Sequence, residues 1–365
     1  RIAICWQGMS GYAHACFSAL SGLGVEVRVF HSAGADDAPY DPQAITQGLS
    51  ATAWRGEPDP EALDAGVGEL DPHALLVSSW HIGPYRRLAK RWRGRTLRVL
   101  CMDNQWWATP KQRLGVATSP FLVRSAFDAA FLPSERSADF ARRLGFADDR
   151  IIRGIYSCDH PRFAAVAAAR GGEPPARAFL YLGRLVTDKG IDTLAEGYRS
   201  YRAAAADPWP LLVGGTGPFA SHLAGSAGVD MLGFVQPDDL PGLLARAGCL
   251  VLPSRFEPWG VVVHEAAAAG LPVVASSASG AASRLVVDGY NGVIVPPGSP
   301  QALARALARI SGSSDPDRLA MTEASRSLAL QLTPDRWASH LVARVAELRA
   351  ELGLPAAPAP RPADV

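Results

Sequence analysis

The chain has almost no net charge. Its 365 residues carry 36 Lys and Arg against 35 Asp and Glu, a formal net of +1, and charged residues make up only 19 %. That argues against a nucleic-acid binder relying on overall positive charge, because neutralising phosphates needs a standing positive field. With 48 % hydrophobic residues, the composition also excludes a disordered chain, which buries too little apolar surface to fold. Cysteine is scarce. The five present (Cys5, Cys16, Cys101, Cys158 and Cys249) are odd in number, scattered and without a CxxC pair, so neither a disulfide framework nor a zinc cluster is suggested. Long apolar runs are missing too. The longest uncharged stretches, such as 208–229, are broken by Gly and Pro and lack the apolar core of about 18 residues that a membrane helix needs. The opening RIAICWQGMSG has no charged region followed by a long apolar one, so no secretory leader is read there, and the initial Arg reads as a trimmed start. The expected setting is a reduced cytoplasm, with the inner membrane face as a candidate place of peripheral contact.

The balanced total hides an uneven layout. Residues 1–80 hold 3 basic and 10 acidic side chains, residues 81–165 hold 16 and 7, and residues 166–365 hold 17 and 18. The segment YRRLAKRWRGRTLR (85–98) supplies seven of the basic groups. It reads either as a solvated helix face running into a strand, or as a basic patch for anionic lipid or a phosphorylated substrate.

What the chain does have is alternation. Short apolar runs at 2–7, 25–31, 74–80, 97–102, 129–134 and 150–155, then at 178–183, 209–215, 229–234, 249–254, 272–276 and 292–297, are separated by amphipathic stretches. That is the pattern of parallel sheets with crossover helices. A Gly-Gly-Glu-Pro-Pro linker at 171–175 marks the expected domain boundary. The expected class is α/β with two successive Rossmann-like, doubly wound parallel-sheet domains, whose ligands bind outside the carboxyl ends of the strands.

Two segments carry the chemistry. In LVLPSRFEPWGVVVHEAAAAGLPVVAS (250–276), a buried strand leads through Glu257 to a helix beginning near Gly260, and Glu257 and Glu265 bracket its start. The amides of Trp259, Gly260, Val261 and Val262 are candidates for a phosphate. The two carboxylates suit pairs of vicinal hydroxyls. Helix capping by Glu257 and a half-exposed Glu265 is the plainer reading of the same residues. In FLYLGRLVTDKGIDTLAEGYR (179–199), Gly183-Arg184 follows a strand and Lys189-Gly190 opens a helix, an Arg–Lys pair suited to a diphosphate or two loop cations.

With the GGTGP loop (214–218) and the stretch VDMLGFVQPDDLPGLLARAGCLVLPS (229–254), these motifs resemble the retaining glycosyltransferases of the GT-B fold, family 4 type (glycosyltransferase group 1). The likeness covers most of 178–310; the N-terminal half shares only the strand–helix rhythm and a Gly-containing first loop. The resemblance implies two Rossmann-like domains with an interdomain cleft: 1–165 on the acceptor side, 166–330 binding the donor, a helix over 331–352 crossing back to the first domain, and a Pro/Ala-rich tail over 353–365. It implies that Arg184 and Lys189, with Gly183, Gly214 and Gly215, hold the diphosphate of a UDP- or GDP-type sugar. Glu265 would hold the ribose, and the backbone near Phe234, Val235 and Gln236 the base. Glu257, Pro258 and the amides from Trp259 to Val262 would hold the transferred sugar, with Gly11 facing the donor phosphate. The partners implied are a nucleotide-sugar donor and a sugar-containing acceptor (a glycan in polysaccharide biosynthesis, a lipid-linked intermediate or a glycosylated metabolite), with no nucleic acid.

Some positions depart from the pattern. SGAASR (279–284) carries Ser283 where the family often has Glu, and GIYSCD (154–159) replaces Asn-Gly-Val-Asp. An N-domain histidine is not obvious: Asp103 is favoured over His81 as the polar group facing the reacting sugar, and Asn104, Gln105, Trp106 and Trp107 are acceptor-side candidates or loop packing. No metal or other cofactor is expected, since Arg184, Lys189 and a helix end already offset a diphosphate, and Asp315-Pro316-Asp317 reads as a helix cap. One rival is a nicotinamide-dependent oxidoreductase, from the formal fingerprint Gly215-x-Gly217-x-x-Ala220, weakened by Pro218 in its turn. Others are a non-catalytic nucleotide-sugar-binding homologue and an epimerase.

Overall fold

A computed structural model describes residues 1–33 and 45–355. They form two units, Arg1–Ile155 with the residues from Asp335 on, and Tyr156–Pro334. The tail expected over 353–365 lies outside the described residues from 356 on.

The first unit runs β1 (Ile2–Trp6), α1 (Gly11–Gly22), β2 (Val27–Ser32), β3 (Ser50–Trp54), α2 (Pro60–Leu70), β4 (Ala74–Val77), α3 (Gly83–Arg91), β5 (Leu97–Cys101), α4 (Pro110–Leu122), β6 (Ala129–Leu132), α5 (Glu135–Arg143) and β7 (Ile151–Arg153). The seven strands pair in parallel in the order β3-β2-β1-β4-β5-β6-β7. β1, β4, β5 and β6 are buried along their whole length, because helices cover both faces of a parallel sheet. That double burial is what made them legible as unbroken apolar runs. β3 was missed, and for the converse reason: Ser-Ala-Thr-Ala-Trp is an edge strand with three of its five residues exposed, so it has no apolar run to show.

The second unit contains α6 (His160–Ala169), β8 (Phe179–Leu182), α7 (Ile191–Ala204), β9 (Leu211–Gly214), β10 (Val229–Gly233), α8 (Leu240–Ala245), β11 (Cys249–Leu252), α9 (Val261–Ala268), β12 (Val273–Ser276), α10 (Ala282–Leu285), β13 (Gly292–Val295), α11 (Pro300–Ser311) and α12 (Asp315–Ala329). Its sheet is again all parallel, ordered β10-β9-β8-β11-β12-β13. Both sheets therefore reverse direction once, between β1 and β4 and between β8 and β11. The loops leaving neighbouring strands diverge there and open a crevice at the carboxyl edge.

The division of the chain differs from the expected 165/166 boundary. Phe163 and Val166 of α6 belong to the second core, and the Cys158 amide donates to His264 Nδ1 on α9 at 3.1 Å. The helix before the Gly-Gly-Glu-Pro-Pro linker thus belongs to the second unit. At the other end, the last helix, α13 (Pro334–Glu351), belongs to the first unit from Asp335 onward. Its Trp337 indole donates to the Ile155 carbonyl at 2.9 Å and packs on Phe17 and Phe131.

Candidate active site

The crevice of the second sheet is built by the loops after β8 and β11. Gly190 ends the first loop at φ +67°, and a Cβ on it would come within 2.4 Å of the Pro253 carbonyl oxygen, so only glycine lets the two loops meet. The Asp188 carbonyl then accepts from the Arg255 and Phe256 amides at 2.8 and 3.0 Å, and Arg255 pairs with Asp192 at 2.7 Å. Stitched in this way, the loops bring Lys189 Nζ to 2.6 Å from Glu257 Oε2. The Ser254 hydroxyl also reaches that oxygen, at 3.5 Å.

Glu257 is held from a third loop as well. Its backbone pairs with Ser279 after β12, the Gly280 amide donates to its carbonyl at 3.0 Å, and the Ala281 amide donates to the Trp259 carbonyl at 2.8 Å. The Ser279 hydroxyl donates to that same carbonyl at 3.0 Å. Three adjacent strand ends thus fix the turn that delivers the chain into α9. The opening amides of α9 have no intrahelical acceptor and lie at the positive end of its dipole. Arg184 is exposed on the turn after β8, and the Tyr181 hydroxyl, donating to the Arg184 carbonyl at 2.9 Å, orders that turn. Gly183 donates its amide to Gly214. A Cβ on Gly215 would come within 1.9 Å of the Gly183 carbonyl oxygen, so a bare backbone is required where these two turns touch.

One turn into α9, Glu265 is half-buried. Desolvation pushes its carboxyl up to about 7, against the attraction of Arg162 and with a contribution from Asp159. Arg162 of α6 also donates to the Pro237 carbonyl and pairs with Asp238 at 2.8 Å. It therefore ties the half-buried Phe234-Val235 turn after β10 to the helix facing Glu265. Beside Glu265, His264 is fully buried, with Nδ1 accepting from Cys158 and Nε2 facing the Ala329 carbonyl at 3.2 Å. Burial drops its pKa to about 4; it is a neutral structural histidine.

Residues 169–328 match the model of the family described as Glycosyl transferases group 1. Most of the second unit therefore matches the group 1 glycosyltransferases. Alpha-D-kanosaminyltransferase of Streptomyces kanamyceticus is 27 % identical over 202 residues, 52 % of each chain. The chain spans about half the length of the curated relatives it matches. Among solved structures, sucrose-phosphate synthase of Thermosynechococcus elongatus superposes with a TM-score of 0.72 at 19 % identity, covering 96 % of this chain and 100 % of that one. Anabaena HepE, solved in complex with UDP, gives 0.72 at 16 %, covering 95 % and 100 %. These likenesses carry the fold: two Rossmann-like, parallel-sheet domains of the GT-B kind.

The structure of the second unit also disfavours the dinucleotide-fingerprint reading. That fingerprint needs a helix opening directly from the glycine turn, to meet a pyrophosphate. Here β9 and β10 are joined through a single 3-10 turn, Ala220–His222, and among the described residues no α-helix lies between them. Asp315 pairs with Arg318 at 2.6 Å and Ser314 accepts from the Asp317 amide, so this Asp-x-Asp serves the start of α12. Ser283, the departure from the family pattern, donates to the Gly280 carbonyl at 2.7 Å.

In the first unit, Gly11 is exposed at the start of α1. His81 follows β4 with its ring 4.0 Å from that of Trp80; partial burial, then Lys111 and Arg86, lower its pKa. Asp103 follows β5, half-buried, and its carbonyl accepts from Ser137 at 3.0 Å. Gln105 is buried, with its carbonyl bonded by Gln112. Trp106 packs on Phe140 beneath Arg143, while Asn104 and Trp107 are exposed. Much of the basic run 85–98 is occupied within this unit. Arg98 is buried against Asp128 and Arg91 pairs with Asp64 at 3.1 Å. Arg86 and Lys90 donate to the carbonyls of Trp80 and Phe121.

Sequence reasoning missed Ser254, Ser279 and Arg162. Each acts through a partner 3 to 103 positions away, and none lies in a motif of its own; the two glutamates and the Gly-Arg and Lys-Gly turns were what pointed to this place.

Proposed function

We propose that the chain is a retaining, metal-independent glycosyltransferase. It moves a hexose-type sugar from a UDP- or GDP-linked donor to a hydroxyl of a sugar-containing acceptor. The observation that carries this reading is the Lys189–Glu257 pair at the switch point of the second sheet, inside the segment that matches the family. Arg184, Lys189 and the α9 amides offset the charge that grows on the departing diphosphate, Glu265 accepts from the ribose hydroxyls, and Glu257 orients the sugar. In a front-face displacement the bond from the anomeric carbon to the phosphate oxygen breaks as the bond to the acceptor oxygen forms. The acceptor's proton passes to the departing phosphate oxygen. The protein's contribution is positioning and electrostatics rather than a strong base, with Asp103 favoured over His81 as the polar group of the first unit. The kanosaminyl transfer in the name of the Streptomyces relative and the UDP in the HepE complex support a nucleotide-sugar donor.

Thermal shift across a panel of nucleotide sugars identifies the donor, since a bound donor raises the melting temperature by mass action. The double variant Arg184→Ala/Lys189→Ala should lose UDP or GDP binding; unchanged affinity defeats the assignment. Anomeric NMR of the product tests retention, and activity surviving EDTA tests metal independence.

A further inference from the structure

Helix α4 carries large apolar residues on its outward face as well as its inward one. It buries Gly115 and Ser119, the first against the Trp80 indole and the second through a hydroxyl bond to the Leu144 carbonyl. It presents Leu114, 65 % exposed, and Phe121, 75 % exposed, to solvent. These two are seven residues apart, with exposed Lys111 one turn before Leu114 and Ala117 and Thr118 between, so they form one stripe along the helix. Single exposed apolar side chains need no explanation. Val116 and Leu122 of the same helix pack on the core, so two further large apolar side chains aligned on its outward stripe do need one.

Exposed cations flank the stripe, although Arg98 is buried against Asp128 and Arg91 pairs with Asp64. Between Asp71 and Asp128 the sequence has ten Lys and Arg and one acid, Asp103. Lys90 of α3 donates to the Phe121 carbonyl at 3.0 Å, which stations an ammonium at the C-terminal end of α4. Lys111, Arg113 and Arg124 are exposed on or just beyond α4, and Arg87 on α3. No acid lies in α3, in α4 or between Asn104 and Phe127. A free anionic metabolite uses the cations but not the Leu and Phe. Isolated apolar protrusions flanked by Lys and Arg on a convex helix match the boundary between headgroups and acyl chains, and the charge matches acidic phospholipid.

We propose that the outward face of α4, with the cations of α3, is a docking surface for an anionic lipid bilayer, on which this chain sits peripherally. Leu114 and Phe121 enter the acyl boundary while Lys90, Lys111, Arg113 and Arg124 meet lipid phosphates. Among the described residues no helix is long and apolar enough to cross a membrane, so this is attachment to a surface. The inference rests on the first unit alone and stands independently of the proposed transfer reaction.

The test is flotation of the full chain with vesicles of phosphatidylcholine, pure or mixed equally with phosphatidylglycerol. The wild type should float with the mixed vesicles, not with the pure ones, and should be released by high salt. Leu114→Ser/Phe121→Ser should weaken flotation about tenfold or more with an unchanged melting temperature, because both side chains are exposed. Lys111→Gln/Arg113→Gln should weaken it on mixed vesicles. A wild type that ignores mixed vesicles, or a Leu114→Ser/Phe121→Ser variant that floats equally well, overturns the proposal. So does a wild-type dimer that this variant turns into a monomer, since the face would then belong to a second copy.

Discussion

Lys189 and Glu257 lie 68 residues apart in the sequence and 2.6 Å apart in the structure, with 15 % and 11 % of their side chains exposed. Each comes from a different strand end, and the pair exists because β8 and β11 are neighbours in the sheet although β9 and β10 intervene in the chain. A pair this enclosed is weakly screened by solvent, so the charge left behind when one partner is removed is costly. The arrangement keeps a cation and a carboxylate in register at the place where a sugar diphosphate is proposed to lie.

The two members should separate kinetically. Lys189→Ala should lower nucleoside diphosphate affinity by about tenfold or more, while Glu257→Gln should hold it within about threefold and reduce transfer roughly a hundredfold. Titration calorimetry and initial rates read the two effects. Denaturation of both single variants and the double variant should give a coupling of about 1–3 kcal/mol; additive losses would mean that the contact does not contribute.

Glu265 makes donor binding depend on pH. With its carboxyl at about 7, a sizeable fraction is protonated at neutral pH, and the ionised form is the better acceptor for ribose hydroxyls. Nucleotide affinity should therefore rise from pH 6 to 8 and level off above. Glu265→Gln should bind more weakly at pH 8 and lose the slope. A wild-type affinity flat over this range removes Glu265 from the ribose.

His264 makes stability depend on pH in the acid range. Its folded value of about 4 lies below the ordinary 6.5. Above 6.5 both folded and unfolded chains are neutral there. As pH falls through 6.5 towards 4, the unfolded chain takes up a proton that the folded one refuses, and stability is lost. The gap is worth roughly 3 kcal/mol. Glu265 acts in the opposite sense: its raised value favours the folded form below about 4.5 and that advantage is lost as pH rises towards 7. The two terms largely offset each other between pH 4.5 and 7, so in urea unfolding stability should climb with pH in Glu265→Gln, fall with pH in His264→Gln, and change less in the wild type than in either.

Trp337 anchors the last helix to the first unit. Trp337→Ala removes a buried indole, its bond to the Ile155 carbonyl and its packing on Phe17 and Phe131, a loss of about 3–5 kcal/mol. Hydrogen exchange in β1 and β6 should accelerate. Unchanged exchange there would detach α13 from this core.

Twelve of the thirteen strands among the described residues were legible as apolar runs, the central ones because parallel strands covered on both faces are apolar along their whole length, not on alternate residues. β3 was not, since edge exposure erased the signal. The glutamate pair and the Gly-Arg and Lys-Gly turns were visible as motifs, but Ser279 and Arg162 were not. Their role is to hold Glu257 and to face Glu265 across elements that the chain order separates. The basic run 85–98 was conspicuous as composition, and its individual fates were invisible. Arg98 is buried against Asp128, whereas Lys90 lies beside an exposed Phe on the next helix.

The linear pattern of apolar runs and helix signals was enough for the α/β class and for two successive sheets, since burial on both faces leaves its mark on every central strand. Which residues share a site was decided only by strand order. Once β8 lies against β11, the loops that end them must meet at the carboxyl edge, and Lys189, Ser254, Glu257 and Ser279 come together however far apart they stand in the chain. Tertiary packing likewise decided the boundary, because α6 buries Phe163 and Val166 in the second core while Trp337 fills a space in the first. It also decided which side of α4 faces out: Gly115 lies over the Trp80 indole and Val116 and Leu122 pack on the core, which leaves Leu114 and Phe121 exposed.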